Sequence, residues 1–206
     1  MNIFLSWSGK RSLLVAQAFE EYLNMLFNGA HIYLSSSMNK GVPWLAVLDE
    51  NLKKADFAIL CVTRENRAAP WLMYEAGVLS QTAGAKNVAP FLLDIDASEL
   101  QSPVTRSQIT VFEREDLEKL VLTINRLIPK NDSAKNENEE RLKKHFHLIY
   151  GGLEPRLQEA LDFQDEGGAE DTPRKTLAEV ERLLDISKSH QALLQDIIFD
   201  IKKLRQ

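Results

Sequence analysis

The sequence predicts an α/β fold: a flavodoxin-like, five-stranded parallel sheet of order 2-1-3-4-5 with a C-terminal helical extension. Three observations carry this expectation. Short apolar runs alternate with helix-length amphipathic segments over roughly the first 130 residues, the signature of strands joined through crossover helices. The run DFAILCVT at residues 56–63 is apolar almost without a break, as a strand covered on both faces should be. Five strands in one open sheet suit a doubly wound order that reverses between the first strand and the third.

Residues 2–6 read as the first strand, placed ahead of Ser8 and Gly9. Residues 11–27 repeat apolar side chains at helical spacing, with Leu14, Ala18, Tyr22 and Leu26 on one stripe and Val15, Phe19 and Leu23 beside it. Asn28 and Gly29 end that helix, since glycine accepts the left-handed backbone of a C-terminal cap. Residues 31–34 form a short second strand, and the polar stretch 35–43, with Gly41 and Pro43, forms a loop. A helix over 44–52 leads to the third strand at 56–63. The next helix, over 70–82, opens on Pro70, which suits a first helical turn. A strand at 88–93, a weaker one at 108–112 and a helix at 114–127 complete a first domain spanning 1–130. The polar piece 131–138 is a linker, and 139–206 is the helical extension, a candidate for assembly or partner docking. It divides into helical segments at 139–150, 155–163 and 173–205, with an acidic loop at 164–171. A heptad-like series runs through Leu177, Val180, Leu184, Ser187, Gln191, Leu194, Ile198 and Ile201, with a polar centre at Ser187 and Gln191 that suits a break into two helices. It fits either a helical hairpin packed on the first domain or a self-association helix.

Composition narrows the function. A chain of 206 residues with 44% hydrophobic and 27% charged residues can bury a full core. The formal net charge of −5 argues against direct nucleic-acid binding, which favours a basic surface. Lys202, Lys203 and Arg205 close a helical pattern, where cations complement the helix dipole. A single cysteine, Cys61, cannot form an internal disulfide, and the N-terminal apolar run is too short for a signal peptide. No apolar stretch is long enough to span a bilayer, so the expectation is a cytoplasmic protein with no membrane contact.

In an open parallel sheet, ligands bind beyond the carboxyl ends of the strands where strand order reverses. For the expected order this lies between strands one and three. Trp7, Ser8, Gly9, Lys10 and Arg11 follow the first, and the segment after the third leads to Trp71 and Glu75. The three tryptophans, Trp7, Trp44 and Trp71, follow the first three strands and so belong to one edge of the sheet. A lone tryptophan is usually core, but three on one edge beside a carboxylate favour a site for a flat aromatic ligand. Trp71 and Glu75 are four residues apart and share a helical face. The apolar neighbours of Glu75, among them Leu72, Met73, Ala76 and Leu79, disfavour a simply solvated carboxylate. No dinucleotide fingerprint or phosphate loop is present, which disfavours hydride transfer and nucleotide triphosphate hydrolysis. His145 and His147 are two residues apart and do not share a helical face, so no metal site is expected. Cys61 reads as a buried structural thiol rather than a nucleophile.

Three segments together resemble a bacterial Toll/interleukin-1 receptor (TIR) domain over residues 1–128. They are Phe4-Leu5-Ser6-Trp7-Ser8-Gly9, the loop from Ser35 through Gly41, Val42 and Pro43 to Trp44, and Cys61-Val62-Thr63-Arg64-Glu65-Asn66 followed by Pro70-Trp71-Leu72-Met73-Tyr74-Glu75-Ala76-Gly77. The family includes enzymes that cut the nicotinamide–ribose bond of NAD with the glutamate of a Trp-x-x-x-Glu arrangement, and that glutamate corresponds to Glu75. The resemblance implies NAD as substrate rather than cofactor. It implies Trp7 or Trp71 stacking on nicotinamide, Lys10 or Arg11 near the pyrophosphate, and Ser8 and Trp44 lining the site. It also implies activation by side-by-side self-association through the loop after strand two, triggered by a partner protein or a nucleotide second messenger, in antiphage defence. Two other readings stay open: a non-catalytic interaction or adaptor module, and a cyclase that returns an isomer of ADP-ribose.

Overall fold

In a computed structural model, which describes residues 1–34, 52, 54–69, 72, 73, 77, 87–100, 108–135 and 138–164, the sheet follows the expected order. Its strands are β1 (Asn2–Ser6), β2 (His31–Leu34), β3 (Phe57–Val62), β4 (Val88–Leu92) and β5 (Thr110–Val111). They lie in the order β2-β1-β3-β4-β5, and every neighbouring pair is parallel. The expected loop at 35–43, most of the expected helices at 44–52 and 70–82, and everything after residue 164 lie outside the described residues. Leu52, Leu72, Met73 and Gly77 are described, and all four are helical.

All six positions of β3 are buried, because both faces of the sheet are covered. Ile3, Leu5, Phe57, Ile59, Cys61, Ala89 and Phe91 share one core with the helices α1 (Lys10–Leu26), α2 (Arg114–Leu127) and α3 (Glu139–Asp162). The alternate residues Phe4, Ala58, Leu60, Val62 and Leu92 point the other way and pack with Leu52, Leu72 and Leu100. The period of two along each strand thus sorts the apolar side chains into two layers. Phe19 of α1 meets Phe91 of β4 edge to face, with ring centroids 4.9 Å apart.

Pro90 sits inside β4 opposite Leu60. Parallel strands aim alternate residues at opposite neighbours, and Leu93 and Asn87 bond toward β3. Pro90 therefore turns its missing N–H toward β5, which begins only opposite Phe91. The last strand is shorter than the five residues expected. Asp116 Oδ2 accepts from Val111 N at 3.0 Å, which diverts the backbone into the first turn of α2 after two strand residues.

The segment after residue 138 also departs from expectation. The two helices expected at 139–150 and 155–163 are one 24-residue helix, α3, which runs through Pro155. The break fails because Pro155 and Gly151 are both solvent-exposed. The carbonyl deprived of its donor is that of Gly151, and water can reach it. The opposite stripe, Leu142, Phe146, Tyr150, Leu153, Leu157 and Ala160, is buried and joins the core shared with α1. Residues 1–164 accordingly make one compact unit.

The two adjacent glycines of α3 have opposite surroundings. A Cβ on Gly151 would meet nothing within 4 Å, whereas one on Gly152 would collide with the Tyr22 hydroxyl. We expect Gly151→Ala to raise stability by roughly 0.5–1 kcal/mol through helix propensity. Gly152→Ala should lower it by about 1–2 kcal/mol, as overpacking against α1 outweighs the same propensity gain. Urea denaturation of both, and of Gly152→Ala combined with Tyr22→Phe, checks this, since deleting the hydroxyl should recover the loss.

Candidate functional site

The reversal of strand order brings the ends of β1 and β3 together: Ser6 pairs with Leu60, and the chain leaves both strands at the same edge. Gly9 turns the first exit into α1 with φ +90°, a conformation that L side chains avoid. Its neighbourhood is open, since a Cβ on Gly9 would meet no atom within 4 Å, so backbone conformation alone requires glycine there. Ser12 then ties the turn: its hydroxyl accepts from Ser8 N at 2.9 Å and donates to Ser8 O at 2.7 Å.

Asn66 sews the two exits to each other. Its side chain is 3% exposed, accepts from Thr63 N at 2.7 Å and donates to Cys61 O at 3.0 Å and to Ser8 O at 3.1 Å. One amide therefore closes the turn after β3 and holds the loop after β1 against it. Asp94, just past β4, does the equivalent work one strand further on. Its carboxylate accepts from Arg11 Nη1 at 2.7 Å and from Arg64 N at 2.8 Å, and its carbonyl accepts from Arg64 Nη2 at 2.9 Å. Arg11 also contacts Glu65 at 3.1 Å and donates from Nη2 to Phe163 O at 2.6 Å. Arg64 reaches on to Glu99 at 3.3 Å.

The structure distributes the sequence-expected residues unevenly. Ser8 is at the edge, with its backbone N–H and carbonyl both committed. Lys10 is exposed in the first turn of α1. Arg11 faces two carboxylates and a carbonyl. Trp7 is half-buried and packs on the α1 side of the sheet, whereas Leu72 packs on the other. Trp44, Trp71 and Glu75 lie outside the described residues. Cys61 is outside any disulfide and 0% exposed, as its place in an apolar strand implied. Two buried donors, Trp7 Nε1 and Arg11 Nε, have no acceptor among the described residues. Also among those residues, no group of three or more metal-ligating side chains is gathered, and no helix is long and apolar enough to cross a membrane.

Asn66 and Asp94 were not singled out from the sequence as site residues. Asp94 was within reach, since it follows a strand that the same edge rule covers. Asn66 had a weaker signal, an amide three residues past Thr63 at a turn. We expect Asn66→Ala to destabilise the fold by about 2–3 kcal/mol, because it strips acceptors and donors from buried backbone groups. Asn66→Asp should be as damaging, since a carboxylate cannot donate to the Ser8 and Cys61 carbonyls. Chemical denaturation of both variants checks this, and a wild-type midpoint for Asn66→Asp would contradict the assigned donor roles.

No family model matches the chain, and no curated protein matches it significantly. Among solved structures, it is similar to the TIR domains in the structure of the activated Roq1 resistosome directly recognizing the pathogen effector XopQ. That similarity has 14% sequence identity and a TM-score of 0.34, and it covers 88% of this chain and 98% of that one. The fold itself rests on the strand order and register described above.

Proposed function

We propose that this chain is an NAD glycohydrolase of the TIR type, releasing nicotinamide and ADP-ribose, with Glu75 as its catalytic carboxylate. The observation that carries the reading is the order reversal of the sheet. The exits of β1 and β3 lie side by side and are stitched by Asn66, and the segment Trp71-Leu72-Met73-Tyr74-Glu75 follows the second exit. Ligands of open parallel sheets bind at this kind of edge.

The chemistry needs one carboxylate. Nicotinamide in NAD is cationic, so it departs as a neutral molecule and requires no general acid. What remains is an oxocarbenium-like ribose, which an anion close by stabilises electrostatically. Of the two tryptophans offered for stacking on nicotinamide, Trp71 is preferred, because Trp7 packs into the α1-side core. The two cations offered to the pyrophosphate are Lys10, exposed in the first turn of α1, and Arg11, whose terminal nitrogens face oxygen partners. Ser8 and Trp44 remain lining residues in this reading. Assembly through the loop at residues 35–44, triggered by a partner protein or a nucleotide second messenger, completes the site. The setting is cytoplasmic antiphage defence.

The test is to concentrate the full chain, with and without a crowding agent, and follow NAD loss and nicotinamide release. The wild-type protein should turn over NAD, and Glu75→Gln should lose about a hundredfold or more of that rate. Undiminished turnover by Glu75→Gln would sink the catalytic assignment. An assembled wild-type protein that never consumes NAD would identify an interaction module instead, and chromatography of the product separates linear from cyclic ADP-ribose.

A further inference from the structure

We propose that Asp94 is a positioning residue which, through Arg11, ties the loop leaving β1 to the end of α3, so that the loops at the candidate edge and the end of α3 move together. The proposal deepens the reading of the same site and rests on the NAD-cleaving assignment only for its activity measurement.

The planar guanidinium of Arg11 offers five N–H donors in a fixed fork. Nη1 meets Asp94 Oδ2 at 2.7 Å and Glu65 Oε1 at 3.1 Å, while Nη2 meets Phe163 O at 2.6 Å. Phe163 caps α3, where the last carbonyls have no intrahelical donors and the helix dipole is negative. A cation that donates to this carbonyl satisfies both needs at once. Arg11 itself stands in the first turn of α1, one residue before Ser12, which fixes the backbone of Ser8.

Asp94 holds this arrangement from below. Its two oxygens grip different loops, Oδ2 holding Arg11 and Oδ1 holding Arg64 N at the exit of β3. The side chains of Arg11 and Asp94 are 18% and 12% exposed, so water screens the pair far less than a surface ion pair. Glu65, 55% exposed, is the weaker partner. Four segments thus meet at one guanidinium: the β1–α1 loop, the β3 exit, the β4 exit and the end of α3. A lysine keeps the charge but cannot span these acceptors in the same geometry.

Hydrogen–deuterium exchange of the full chain tests the junction without reference to NAD. Asp94→Asn should speed exchange at residues 7–12 and 158–163 together by about tenfold, with β2 unchanged. Arg11→Lys should do the same, and the double variant should exceed neither single variant, as expected for residues in one coupled unit. In turnover, Asp94→Asn should lower kcat with KM held within roughly twofold, since it orients the loop and touches no substrate. Wild-type exchange in Asp94→Asn, acceleration of only one of the two segments, or additive effects in the double variant would overturn the proposal. So would an Arg11→Lys protein with raised KM and unchanged exchange, which would make Arg11 a ligand-binding cation. If Asp94→Asn fails to fold, Arg11→Lys carries the exchange measurement with the same expectation. Coupled exchange in a protein that never cleaves NAD would leave the junction standing and remove the NAD reading.

Discussion

The described sheet is organised around a strand that has no face toward water. Phe57 to Val62 are buried at each position, and β3 is paired along both edges, with β1 on one side and β4 on the other. Such a strand is stable only if apolar side chains cover both faces. The chain meets that demand by sending its connections over opposite faces, and right-handed crossovers then force the strand order to reverse. Reversal leaves the exits of β1 and β3 adjacent with no crossover closing the gap between them. The candidate site is a by-product of burying β3.

That edge gathers polar backbone that the sheet no longer pairs, and its side chains answer the need. Asn66 and Ser12 bind the N–H and carbonyl groups of the first turns, while Asp94 collects donors from two neighbouring loops. Two exceptions stand out: Trp7 Nε1 and Arg11 Nε are buried with no acceptor among the described residues. Both lie where the first strand ends and the first helix begins. Among the described residues, both of these donors lie at that edge.

The fold was legible wherever burial imposed a period on the sequence. β1, β2, β3 and β4, and the helices at 10–26 and 114–127, fall within a residue or so of expectation, because each pairs a hydrophobic pattern with a clear terminator. Legibility failed where a local rule met tertiary context. Pro155 reads as a helix boundary, yet the apolar stripe Leu142, Phe146, Tyr150, Leu153 and Leu157 runs through it unbroken and leaves it on the solvent face, so α3 continues. The fifth strand was overextended because Asp116, six residues after Thr110, captures the backbone N–H of Val111. Of the site, the edge could be read from topology and Ser8, Lys10 and Arg11 from their order in the chain. The partners of Arg11 could not, since Asp94 and Phe163 lie 83 and 152 residues away.

The pairing at this edge also bears on which chemistry it can host. Hydrolysis of an ordinary glycoside calls for two carboxylates, one of them free to give and take a proton. Asp94, Glu65 and Glu99 are each engaged by a guanidinium, Arg11 for the first two and Arg64 for the last. Moving a proton onto any of them would weaken the contacts that set the loops. A reaction whose leaving group is already cationic escapes that conflict, because it asks for one anion and no proton donor. NAD offers such a leaving group. On the proposed reading, the described carboxylates of the edge hold loops in place, and the reaction needs only Glu75 from the segment after β3.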